Sequence, residues 1–371
     1  MNTTIFNKIM LCLVMTGCCF MAAAQAPLFC GDYTVDTAAL RKAKAFETQN
    51  AGNRLQATTR LIRIYFHVLS CDDGTFTAAT TAQINSEFNT LVADYQPDNI
   101  CFINGGIDFI NNTKLDTNFT VKVDDNALFD QYRVANCINV FYLNKIKGNN
   151  PSCSNNCGIG GTSLSVPNTF CLISSGNIGQ GQTISHEVGH CMGLLHTFET
   201  VFGTENINGS NSGNAGDQVT DTPADPYAYN AQPCFATTVN QCVYTGTCKD
   251  PNNASNFSPP YTNLMAYWWA NGCYANLTAT NGQYTRVNST LNTNAGLQAC
   301  QSAANVTESG IFLTSGFLVA SAINTLNTSG NILIIGTAKV TFGGGLVLLE
   351  PGFAAIPSAN GLTTIKARPC N

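Results

Sequence analysis

Charge is what this sequence has least of. Lys and Arg number 17 and Asp and Glu 22, together 11% of 371 residues, with a net charge of −5. Such a chain lacks the basic footprint that nucleic acid or an anionic membrane surface requires. Histidine is scarcer still at 4 residues, so any clustering of histidines carries information. Beyond residue 24 no apolar run is long enough to cross a bilayer. The 17 cysteines show no paired C-x-x-C spacing, which argues against a zinc ribbon.

Residues 1–24 read as a secretory signal, with Lys8 as the positive start, Ile9 to Met21 as the apolar core and Ala22-Ala23-Ala24 as the cleavage site. An alternative takes Met15-Thr16-Gly17-Cys18 as a lipoprotein box that anchors the chain through lipid on Cys18. Cys12, Cys18 and Cys19 belong to the signal, and the cysteines after it are too many for a reducing cytosol. Disulfides in an extracellular protein are the expectation. Cys153 and Cys157 are placed to close a small loop, and Cys234, Cys242, Cys248 and Cys273 to staple a long one; their pairing stays open.

Three of the four histidines lie in His186-Glu187-Val188-Gly189-His190-Cys191-Met192-Gly193-Leu194-Leu195-His196, which reads H-E-x-x-H-x-x-G-x-x-H. His186 and His190 are four apart, so on a helix their imidazoles leave one face and can grip one ion. Glu187 stands where it can reach a metal-bound water without ligating the metal. Gly193 can adopt a positive φ, which stops the helix and brings His196 round as a third ligand. Three neutral nitrogens and a water make an open, catalytic zinc arrangement. The extended motif is the metzincin signature. A Met-turn should follow it, and Asn263-Leu264-Met265-Ala266-Tyr267 supplies one. Met265 is expected as an apolar floor under the imidazoles, and Tyr267 as a hydroxyl near the metal or the oxyanion. The competing readings are solvated histidines on an amphipathic helix and an ordinary core methionine.

The segments His186 to Phe198, Gly216-Asp217-Gln218-Val219-Thr220-Asp221-Thr222-Pro223 and Asn263 to Tyr267, with Cys273, Leu277-Thr278, Gln283 and Arg286, resemble the pappalysin family of metzincins, most closely its cytophagalysin/ulilysin-like microbial branch. The resemblance covers roughly residues 60 to 290. It implies a secreted zinc endopeptidase acting on proteins or peptides. It also implies an α+β fold: a two-lobed metzincin catalytic domain with a mixed sheet and active-site helix, and the Met-turn in the lower lobe. Cys191 departs from the large aromatic common there, and faces off the ligand stripe into the core. Asp217, Asp221 and Thr222 offer oxygen ligands, and the resemblance raises the expectation of calcium beside the alternative of a turn braced by Asx hydrogen bonds. Relatives use a cysteine switch for latency. Counting cysteines with Cys191 left unpaired makes Cys30 the candidate latency ligand, and residues 25–58 a propeptide-like segment; a disulfide at Cys30 is the alternative.

The remaining pattern gives the frame. Thr37 to Thr48 is a weak helical patch, and Leu61 to Leu69 is a strand by its β-branched and aromatic content. His67 on that strand is expected as a core histidine. Ile84, Phe88, Leu91, Val92 and Tyr95 follow helical spacing, and strands are expected at Ile100 to Ile110, Ile138 to Ile146 and Thr169 to Ser174. The last of these is a candidate upper rim whose edge could pair with an extended peptide. After Cys300 nearly uncharged apolar runs alternate with Gly, Asn and Ser, a rhythm that suggests a small all-β C-terminal domain of the short-solenoid kind. The expected organisation is a signal at 1–24, the propeptide-like segment at 25–58, a peptidase domain at 59–300 and the β domain at 301–371. A secreted zinc metalloendopeptidase with Glu187 as base is the leading reading. The rivals are a zinc peptidase with a downstream Glu as third ligand, and a secreted adhesion or matrix protein with a degenerate protease domain.

Overall fold

The computed structural model describes residues 33–51, 59–148, 158–180, 182–229, 234, 237–238, 243–250, 255–268 and 276–366. The expected signal, Cys18, Cys30, Cys153, Cys157, Cys242 and Cys273 lie outside the described residues. Among the described residues no helix is long and apolar enough to cross a membrane.

A five-stranded mixed sheet carries the fold. Strand Arg60–Ser70 pairs in parallel with Ile100–Asn111 on one side and Ile138–Leu143 on the other. Phe170–Ser174 continues the parallel run, and Gly161–Thr162 closes it as an antiparallel edge. Alternation decides which residues go where, because successive side chains leave opposite faces. Ile62, Ile64, Phe66 and Val68 join Ile138, Val140, Tyr142, Cys171 and Ile173 in a core beneath helices Thr81–Tyr95, Thr183–Cys191 and Asn281–Thr293. Leu69, Phe141, Leu143 and Leu172 pack on the other face with Leu115, Phe119 and Phe129. Each such side chain contributes about 1.5–3 kcal/mol, so a sheet buried on both faces supplies most of the stabilisation.

Two of the covering helices begin alike. Thr80 with Gln83 and Thr280 with Gln283 form reciprocal capping boxes. His67 is a core histidine, with Nδ1 2.7 Å from Asp108 Oδ1, Nε2 2.9 Å from Asn139 Oδ1, and its ring stacked on Phe141.

Three expectations need correction. Ile138 to Ile146 is not one strand: Asn144 bonds the Asp116 carboxylate through its backbone N and Nδ2, and this turns the chain out before Ile146–Lys147. Phe170–Ser174 is not a rim, because it is paired on both sides and Gly161–Thr162 takes the edge. More cysteines are free than the expected Cys191 and Cys30. Cys234 pairs with Cys248 and Cys101 is disulfide-bonded, but Cys71, Cys137, Cys191 and Cys300 are free thiols. Cys191 is buried in the main core, as expected for a residue off the ligand stripe.

The residues after Cys300 stack as a parallel solenoid with a coil of about 22 residues. Ala303–Ser309, Phe317–Ser329, Lys339–Leu349 and Leu362–Lys366 form one sheet, and Phe312–Leu313, Ile332–Gly336 and Phe353–Pro357 the other. This stack packs against the strands Arg60–Ser70 and Ile100–Asn111 of the main sheet. Val319 and Thr341 contact Gly105, Thr341 Oγ1 donates to Gly105 O, and Phe317 meets Tyr65 edge-on at 5.2 Å.

The chain before the main sheet is also built in. Thr34–Val35 pairs in parallel with Ser165–Val166, and helix Thr37–Gln49 packs along Asn281–Thr293 with Leu40 and Ala43 fully buried. Arg286 Nε donates to Glu47 Oε1 at 2.5 Å, and the Arg286 side chain is 1% exposed. Removing the carboxylate leaves a buried cation without its partner. We therefore expect Glu47→Ala to lower the unfolding free energy of the chain carrying this segment by about 3 kcal/mol, measured by urea denaturation; a loss below about 0.5 kcal/mol, typical of a surface pair, would contradict it.

Candidate functional site

Helix Thr183–Cys191 is short and rich in β-branched residues, with a glycine inside, so propensity does not hold it. Burial does: all nine of its residues are buried. Gln182, in the left-handed region before it, donates no cap. Its side chain instead bonds Asp94 Oδ1, Leu277 O and Leu277 N, which ties the helix start to the Thr81–Tyr95 helix and to the segment before Asn281. Tyr95 OH donates to Ser185 O.

The helix ends as the glycine requires. Gly193 has φ +92°, its N donates to His190 O, and Leu194 N donates to Gly189 O, each at 3.0 Å. This is a Schellman turn. It delivers His196 to the other two histidines. The three Nε2 atoms lie 3.1–3.2 Å from one another. Nδ1 of His186 donates to Leu264 O and Nδ1 of His190 to Leu194 O, each at 2.7 Å, while Nδ1 of His196 faces Tyr33 OH at 3.0 Å. With the protons on Nδ1, three lone pairs face a common point. Burial lowers all three imidazoles, His186 to about 4 and His190 and His196 well below the usual value, so they are neutral at pH 7. Tetrahedral zinc with Zn–N of about 2.0–2.1 Å sets its nitrogens about 3.3 Å apart, so the donor set fits the ion. Among the described residues this is the group of three or more His, Cys, Asp or Glu side chains that could hold a metal.

Glu187 is buried next to the first histidine. The Met-turn residues lie beneath and beside the cluster. Leu264 O holds His186, a Cβ on Gly189 would lie 3.0 Å from Met265 Sδ, and the Tyr267 ring stands 4.7 Å from that of His196. Phe198 stacks on His196 with ring centroids 4.6 Å apart, and extends an aromatic wall through Tyr227, Tyr267 and Trp268.

Two participants were missed in the sequence. Asp225 accepts from Thr197 Oγ1, Trp268 Nε1 and Tyr227 N, and so ties the chain after His196 to that wall; burial pushes it up to about 6, against these hydrogen bonds. Tyr33 bonds both His196 Nδ1 and Glu199 Oε2, and its ring lies 4.6 Å from that of His190. No local pattern marks Tyr33; only its position three residues after Cys30 could have drawn notice. The calcium expectation gains no support. Asp217 accepts from Val219 N and Thr222 Oγ1 and so braces its own turn, while Asp221 accepts from Thr280 Oγ1 and Gly282 N and ties that turn to the start of helix Asn281–Thr293.

These features define the class: a metalloprotease whose three-histidine cluster fits the zinc site of a metzincin. No family model matches the chain. An extracellular metalloprotease of Neurospora crassa is 30% identical over 246 residues, spanning 63% of this chain and 75% of that protein. One of Podospora anserina is 28% identical over 244 residues, spanning 62% and 72%. Among solved structures, a promirolysin mutant of Tannerella forsythia is similar with a TM-score of 0.45 and 18% identity over 70% of this chain and 89% of that one. The chain belongs to the family of these fungal extracellular metalloproteases.

The partner of a ligating imidazole's second nitrogen typically accounts for 10–100-fold in metal affinity. With residues 33–51 in place, Tyr33→Phe is expected to weaken zinc binding by about tenfold or more, measured by competition with a chromophoric chelator. Unchanged affinity would show that the Tyr33 hydroxyl does not support His196.

Proposed function

We propose that the chain is a secreted zinc-dependent endopeptidase that hydrolyses peptide bonds in proteins or peptides with Glu187 as general base. The observation that carries this is the convergence of three neutral Nε2 atoms with Glu187 on the same helix. The extracellular relatives and the signal-like N-terminus support export from the cytoplasm.

His186, His190 and His196 would hold the ion, with Met265 as floor. When bound, zinc acidifies a water and polarises the scissile carbonyl. Glu187 takes the proton of the attacking water and delivers it to the leaving amine. The Tyr267 hydroxyl, on a ring packed edge-on against both Phe198 and His196, donates to the developing oxyanion. Residues 59–300 form the peptidase unit in this reading, and 301–371 an accessory β unit. Calcium has no part in it.

Purified protein is expected to carry about one zinc per chain, to lose activity to a chelator and to regain it with added zinc. Glu187→Ala should keep the zinc and lower kcat by two orders of magnitude or more, about what a positioned base contributes, while His196→Ala loses metal. Near-native turnover of Glu187→Ala would remove it as the base.

Latency is proposed on new ground. Cysteine parity does not single out Cys30, because Cys71, Cys137 and Cys300 are free as well as Cys191. Tyr33 does better: it bonds His196, and three residues of chain can span about 10 Å, long enough for Cys30 to reach the fourth zinc position if the chain runs that way. Expressed from Gln25, Cys30→Ala should be active at once, while the parent chain should lag until cleavage between about Asn50 and Arg60. Equal activity from the outset, or a disulfide mapped at Cys30, would end this reading.

A further inference from the structure

Gly161 lies on the two-residue edge strand Gly161–Thr162, beside the helix that bears Glu187. Its backbone does not demand glycine, for it lies outside the left-handed region that the positive-φ glycines occupy. What demands glycine is space. A Cβ built on Gly161 would stand 2.5 Å from Glu187 Oε1, 2.7 Å from Cγ and 2.8 Å from Cδ. The strand cannot retreat, since Gly161 is paired with Ile173 and Ser174 N donates to Gly160 O at 2.8 Å. Nor can the helix, whose residues are all buried. The Glu187 side chain is the one part free to give way.

We propose that Gly161 is a positioning residue: the absent side chain is the slot in which the Glu187 carboxylate is held in its working orientation. This rests on Glu187 being the base. The slot is cheap for folding and decisive for the reaction, because a displaced carboxylate costs the fold little, whereas a misplacement of about 1 Å can cost 100-fold in rate.

The test is Gly161→Ala in the full chain, beside Gly213→Ala, where the new Cβ would meet nothing nearer than Thr220 Cγ2 at 3.7 Å. Gly161→Ala should lower kcat by about 100-fold with KM little changed, while zinc content and Tm stay at the parent values. Gly213→Ala should change none of these. On a Glu187→Asp background the carboxylate is already withdrawn, so adding Gly161→Ala should lower kcat little further. Full kcat in Gly161→Ala overturns the proposal. Loss of zinc or of the folded state in Gly161→Ala overturns it too, by placing the glycine's role in the fold. An equal loss with and without Glu187→Asp shows that Gly161 does not act through the carboxylate. Glu187→Ala separates the two failures: if that variant turns over, the reading of the base is wrong, and if it is dead while Gly161→Ala is fully active, only the role of Gly161 is wrong.

Discussion

The structure turns on one demand: three imidazoles must be buried, neutral and aimed at a single point. Burial makes them neutral, and a proton acceptor at Nδ1 fixes each tautomer. Leu264 O and Leu194 O serve His186 and His190, so the Met-turn and the turn after the helix are parts of the metal centre. His196 is different, since its Nδ1 faces the hydroxyl of Tyr33 from the N-terminal segment. Two ligands are oriented by the catalytic unit itself, and the third by a segment that the latency reading would remove. Glu199 already shares the Tyr33 hydroxyl, and lies three residues after His196 as the nearest substitute.

A nine-residue helix with poor intrinsic propensity cannot aim these groups alone. It is held by the sheet beneath it, by Tyr95 at Ser185 O, and by Gln182 bridging to Asp94 and Leu277. The Schellman turn at Gly193 is equally tight, because a Cβ there would lie 2.4 Å from Thr290 Oγ1. Precision at the site thus derives from close packing around a short element rather than from the element's own stability.

The loop between the histidine helix and the Met-turn carries little regular structure, yet it is well tied down. Asp217 braces a turn, Asp221 ties the loop to the start of helix Asn281–Thr293, Asp225 anchors the aromatic wall, and the Cys234–Cys248 disulfide closes part of its length. Burial pushes Asp217 up to about 7 and, with Asp217 and Asp225 adding to the effect, Glu205 up to about 8. The stack after Cys300 packs against the strands Arg60–Ser70 and Ile100–Asn111 through Phe317, Val319 and Thr341.

The histidine spacing, Gly193 and Met265 were legible in the linear sequence, because a ligand pair four residues apart, a helix stop and a turn methionine are local demands on residue type. The first core strand, the helical spacing from Ile84 to Tyr95 and the solenoid rhythm were legible too, because each is a local pattern of residue type set by the element it builds. The closing edge at Gly161–Thr162, the salt bridge from Glu47 to Arg286, the Tyr33 contact with His196 and the Asp225 tether were not. Each joins residues distant in the chain through a single side chain, and one residue leaves no period to read. Even the space beside Glu187 is recorded in the sequence only as one glycine among 32. Which glycine matters was decided by the strand that places it against the carboxylate, a relation that exists only once the chain has folded.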